Sequence, residues 1–276
     1  MNNMTYWGLF SLVFFCVNCN RAIPDLLGQT EQYSIYSQIV DDEYTIYVYL
    51  PSNYDENVAY PLIVSMDGDN EFEPVSEVVD ELIRNEEIPK SIFIAVGYGS
   101  EEANDAKRNR DYTPTATEGI EDYETGGAAN FYQFLVQELL PKIQARYAID
   151  NDSKATLIGH SYGGLFTVFA MFQNPETNPF DKFIPVATSY WYDSGILFEY
   201  EQTFANNYQD LPAKVYTTMG ALEGGVMIAS FAEMMQILED RNYPNLVLYH
   251  ELLKRYGHSR SDYITFEKGL PYVFSK

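Results

Sequence analysis

The stretch Ala155-Thr156-Leu157-Ile158-Gly159-His160-Ser161-Tyr162-Gly163-Gly164-Leu165 decides how this chain is read. Four apolar or β-branched residues run into Gly159-His160-Ser161-Tyr162-Gly163, and the apolar run Leu165–Phe172 follows at once. The pattern predicts a short strand over Ala155–Ile158, a tight turn at Ser161 and a helix over Ser161–Phe172. A serine at such a turn is held on strained backbone with its hydroxyl lifted above the sheet. Small residues at 159 and 163 let the neighbouring segments approach. The amide of Tyr162, at the helix N-terminus, then faces the place where a carbonyl oxygen would gain charge. Ser161 is therefore expected to be a nucleophile, the plainer reading being a serine that caps the helix.

Outward from this turn, strand-like runs alternate with helical ones. Gln32–Val40, Tyr44–Leu50, Tyr60–Met66 and Ser91–Val96 read as strands, rich in β-branched and aromatic residues. Val75–Asn85 has helical spacing, as does Phe131–Tyr147, where Pro141 marks a kink or restart. Phe183–Ala187, Lys214–Met219 and Leu246–Leu252 read as further strands, with a helix near Met227–Asp240. This order predicts an α/β fold with a mostly parallel central sheet, antiparallel strands at its N-terminal edge and helices on both faces. No repeat or Pro/Gly/Ser-rich linker divides the chain, so residues 20–276 are expected to form one domain.

A serine nucleophile needs a base, and the chain has 3 histidines. His160 adjoins Ser161 and reads as a packing residue; His250 lies within a strand. His258 stands in Tyr256-Gly257-His258-Ser259-Arg260, after the last strand. That is the place of the base in the α/β-hydrolase order of serine, acid, histidine. The orienting acid should follow the strand Lys214–Met219, and Glu223 does so; Glu239 and Asp240 are rivals at a helix end. A second oxyanion donor is expected from the amide of Gly68 or Asp69, in the loop after Tyr60–Met66.

Composition sets the outer limits. The 276 residues are 46% hydrophobic and 16% aromatic, which excludes a disordered chain. The 40 acidic against 17 basic residues give a formal charge of −23, and such a surface repels nucleic-acid backbones and anionic membranes. Both cysteines, Cys16 and Cys19, lie near the start, so the body of the chain holds no disulfide framework or thiolate metal site. Trp7–Val17 is uncharged and apolar but shorter than the roughly 20 residues of a membrane span. Residues 1–19 are thus expected to be a signal peptide or a lipoprotein signal, with Cys19 as the site of a lipid anchor. The expected location is exported, either periplasmic or membrane-anchored.

A third block, Arg108-Asn109-Arg110-Asp111-Tyr112-Thr113-Pro114-Thr115, completes a recognisable set with the elbow and the late histidine. Together with Gly126-Gly127-Ala128, Glu138-Leu139-Leu140-Pro141 and Ser189-Tyr190-Trp191-Tyr192, the chain resembles an esterase family of the α/β-hydrolases. That family includes siderophore (enterobactin-type) esterases, feruloyl esterases and the esterase-D group. The resemblance spans about residues 30–270 and implies triad positions for Ser161, Glu223 and His258. It also implies that Arg108 and Arg110 lie near the pocket, able to hold an anionic or catecholate-bearing acyl group. Phe72, Tyr190 and Trp191 are expected to wall that pocket. The expected activity is serine ester hydrolysis through an acyl-enzyme on a small-molecule ester, with no metal or other cofactor. Acyl transfer on the same fold and a catalytically silent surface-binding protein are the alternatives.

Overall fold

The computed structural model describes residues 27–117 and 124–275; the expected signal segment, with Cys16 and Cys19, lies outside them. Within the described residues, eight strands form one sheet: β1 (Gln29–Ser37), β2 (Asp42–Leu50), β3 (Leu62–Ser65), β4 (Ile92–Gly97), β5 (Ala155–His160), β6 (Phe180–Val186), β7 (Ala213–Gly220) and β8 (Leu246–Leu253). Their order is β1-β2-β4-β3-β5-β6-β7-β8. The β1–β2 and β2–β4 pairings are antiparallel, and every later pairing is parallel. The expected α/β architecture is thus present, with its antiparallel edge at the N-terminal strands.

Among the described residues, eight helices connect and cover the strands: α1 (Gly68–Arg84), α2 (Glu101–Tyr112), α3 (Ala128–Gln133), α4 (Leu140–Arg146), α5 (Tyr162–Met171), α6 (Ile196–Asn207), α7 (Gly225–Arg241) and α8 (Asp262–Phe274). Both sheet faces are buried, which is why the central strands read as continuous apolar runs. Along β4, Ile92, Ile94 and Val96 join the core under α3 and α5, while Phe93 and Ala95 turn to the core under α1 and α8. Helix α5 is buried along its whole length, as its unbroken apolar sequence requires.

Three helices differ from their sequence expectation. Helix α1 begins at Gly68, well before Val75, because its first turns are polar and only Val75, Val79, Leu82 and Ile83 mark the buried stripe. The Phe131–Tyr147 run divides into α3, a π-helical turn over Phe134–Leu139, and α4. Pro141 has no N–H to donate, and the wider turn before it accommodates the ring. Helix α2 had no apolar period to announce it: its buried residues are Asn104, Asn109, Asp111 and Tyr112.

The order reverses between the β4–β3 pair and β5. In open α/β sheets, ligands settle in the crevice at the C-terminal strand ends near such a reversal. Ser161 follows the C-terminal end of β5 there, and Glu223 and His258 follow those of the parallel strands β7 and β8 toward the edge.

Candidate active site

Ser161 links β5 to α5 with φ 60° and ψ −116°, a backbone state that side chains rarely adopt. It is held from both sides. Its N–H donates to the Val186 carbonyl at 2.9 Å, and its carbonyl accepts the first helical bond, from Leu165, at 2.9 Å. Glycine is obligatory beside it, since a Cβ on Gly159 would lie 2.4 Å from the Gly163 carbonyl oxygen. A Cβ on Gly164 would meet Val186 O at 2.9 Å.

Three of the expected site residues come together. His258 Nε2 is 2.9 Å from Ser161 Oγ, and His258 Nδ1 is 2.9 Å from Glu223 Oε2. A carboxylate only accepts, so this pairing places the ring proton on Nδ1 and leaves the Nε2 lone pair toward the serine hydroxyl. The Glu223 side chain is 2% exposed, and its other oxygen accepts the Gly220 N–H at 3.0 Å. The carboxylate is therefore fixed by backbone before it meets the imidazole. The rivals are occupied elsewhere: Glu239 pairs with His250 at 2.9 Å.

His160 has a role that its sequence position did not suggest. Its Nε2 lies 2.7 Å from the His258 carbonyl oxygen, and the two rings are 4.7 Å apart. Burial, and then the neighbouring His258, lower its pKa, which disfavours the charged ring. Behind it stand Glu71 and the buried Asp262, one donor atom from each of the three lying within 4.8 Å of the others. These are the described residues that could together hold a cation. Burial, then the charges of Asp262 and Asp67, push the Glu71 carboxyl up to about 8.

The cavity over Ser161 has a volume of about 750 Å³. Tyr162, Trp191, Leu222 and Met227 give it apolar wall, with Asp105 and Arg108 at its polar side. Trp191 and Arg108 are thus among the residues lining this cavity.

Other expectations are corrected. Arg110 borders a separate hollow with Gly126 and Gly127, and its guanidinium is bound to Asp111 at 2.6 Å and Asp42 at 3.0 Å. Phe72 stacks between Tyr47 and Phe93 under α1, away from the cavity. Tyr190 is 1% exposed and belongs to the core. Gly68 and Asp69, whose amides were the expected oxyanion donors, open α1 and are not among the residues that line the cavity. Gly68 packs on Tyr47 and the Val96–Gly97 backbone, and the Asp69 carboxylate accepts from Tyr98 N–H, Gly99 N–H and Tyr47 O–H. The left-handed turn at Asp67 starts α1 at once, leaving no free loop after β3.

Comparison with known proteins places the chain among esterases. The family described as "Putative esterase" matches residues 37–184, just over half of the chain. Ferri-bacillibactin esterase BesA of Bacillus subtilis is 28% identical over 207 residues, covering 70% of this chain and 71% of that protein. The siderophore triacetylfusarinine C esterase of Aspergillus fumigatus is 27% identical over 180 residues, covering 63% of this chain and 61% of its own length. Among solved structures, the BES protein from Bacillus cereus matches with a TM-score of 0.79 at 28% identity, covering 90% of this chain and 96% of that one.

Proposed function

The chain belongs to this esterase family and is an ester-hydrolysing enzyme; from that premise we propose that it works through Ser161, His258 and Glu223. The observation that carries the reading is the unbroken line of 2.9 Å contacts from Glu223 through His258 to Ser161 Oγ. Ser161 Oγ attacks the ester carbonyl carbon as its proton passes to His258 Nε2. Glu223, desolvated and backbone-bound, stabilises the imidazolium so formed. The amide of Tyr162 at the start of α5 meets the developing oxyanion. As the C–O bond breaks, His258 returns the proton to the leaving alcohol. Water, deprotonated by the same imidazole, then releases the acid and restores the serine.

The substrate class follows from the relatives, two of which are named for siderophore esters. An ester linkage within an iron-chelating molecule is accordingly the proposed natural target. We further assign residues 20–276 to one catalytic domain and residues 1–19 to export. The test is turnover of p-nitrophenyl acetate and butyrate, then of ferric siderophore esters, by wild type and Ser161→Ala. A serine-directed fluorophosphonate should add mass to the Ser161 peptide of wild type alone. Equal turnover by the two proteins sinks the mechanism.

A further inference from the structure

Arg108, the described cation that lines the cavity, is already paired, and its neighbours Arg110 and Lys107 are paired as well. Arg108 spans both oxygens of Asp67, at 2.7 and 3.1 Å, and Asp67 is 6% exposed. Its guanidinium also lies 5.6 Å from the ring centres of Tyr112 and Tyr162, so its planar faces are covered. Arg110 is held by the fully buried Asp111 and by Asp42, and Lys107 reaches Asp42 at 2.6 Å. Releasing Arg108 to an incoming anion would strand the Asp67 carboxylate in a buried setting, which is strongly unfavourable. Asp105 and Glu223 also line the cavity; the Glu223 side chain is buried against His258, whereas Asp105 is exposed. Among the described lining side chains the sum is negative, inside a chain of formal charge −23.

We propose that this site selects esters bearing no net negative charge, and that Asp105 beside the Arg108–Asp67 pair is what discriminates against polyanions. The inference rests on the ester-hydrolase reading above and narrows its substrate. Among iron-chelating esters it favours those whose ferric complex is uncharged, as with hydroxamate donors, over catecholate complexes that carry several negative charges. An anion entering the cavity meets the exposed Asp105 and finds the Arg108 guanidinium already shared with Asp67; an uncharged chelate is spared that repulsion and can pack on the apolar side formed by Trp191, Leu222 and Met227.

The test uses three p-nitrophenyl esters of matched length: butyrate (neutral), hemiglutarate (anionic) and 4-trimethylammoniobutyrate (cationic). At low ionic strength kcat/KM for the anionic ester should fall at least about tenfold below that of the neutral one, with the gap narrowing as salt screens the wall. Asp105→Asn should narrow it without added salt. Comparable or faster turnover of the anionic ester, or an unchanged ratio in Asp105→Asn, overturns the proposal. Calorimetric titration of Ser161→Ala with the same esters ranks binding without turnover. If wild type hydrolyses none of them, the ester-hydrolase mechanism fails, while the binding order still decides the question of charge.

Discussion

The Nε2–H of His160 donates to the backbone carbonyl of His258 across 2.7 Å, tying the elbow strand to the loop that carries the proposed base. The residue directly before the nucleophile thereby acts as a positioning residue for one 98 positions away. A hydrogen bond of this kind contributes about 0.5–1.5 kcal/mol, so His160→Phe is expected to lower kcat roughly two- to tenfold. KM should change little, and His160→Gln, which keeps a donor, should recover part of the loss. Steady-state kinetics on a p-nitrophenyl ester separate these outcomes.

Glu223→Gln keeps the size of the side chain and an acceptor for the Gly220 N–H. It offers His258 Nδ1 a group that can bind the wrong tautomer. We expect kcat to drop by about 10³–10⁴ with a near-normal melting temperature, a split that marks loss of proton handling and not of folding.

Arg108→Met should destabilise the fold by about 3–5 kcal/mol, since it leaves Asp67 charged and buried. The double variant Arg108→Met/Asp67→Asn removes that stranded charge and should regain much of the loss. Denaturant titration checks both. No recovery in the double variant would mean that Arg108 matters for something other than this pair.

Glu71 gives stability a pH dependence of known sign. Its carboxyl titrates near 8 in the folded protein, raised first by burial and then by Asp262 and Asp67, against an ordinary value of 4.5. A raised acid favours the folded state fully below the ordinary value, and that contribution is lost as pH rises through the folded one. The melting temperature of wild type should therefore fall between pH 5 and pH 8 more steeply than that of Glu71→Gln, followed by differential scanning fluorimetry at fixed ionic strength. Parallel curves would remove Glu71 from the account.

Gly159→Ala should fail for a steric reason. The added methyl would sit 2.4 Å from the Gly163 carbonyl, which is backbone and cannot swing away. Overpacking of this kind costs about 1–3 kcal/mol, and relief would have to come from moving Ser161 itself. Activity should thus be lost along with stability, with thermal melts and ester turnover as the paired readouts.

The sheet and the Ser161 turn were legible because each rests on local pattern: apolar runs of strand length, and glycines where chains cross closely. Glu223 and His258 were legible from chain order alone. What escaped was polar. Helix α2 buries Asn104, Asn109 and Asp111, so no hydrophobic period betrays it, although Ser100 followed by Glu101 and Glu102 is a start signal. Which arginine of Arg108 and Arg110 would reach the cavity depended on that helix, since residues two apart point to different sides of it. The backbone-directed bond of His160 and the stacking of Phe72 under α1 are likewise set by elements distant in sequence, and no local motif encodes them.

The three groups of the proposed triad depart from β5, β7 and β8, and the last two of these strands are the final pair at one edge of the sheet. Completing the site therefore needs contacts between segments far apart in sequence. A refolding chain can build the elbow early, but it closes the relay only when β8 docks and brings His258 to Ser161 across 97 residues of sequence. Recovered activity is therefore a clock for the docking of the C-terminal strand, and it should trail the return of helical signal.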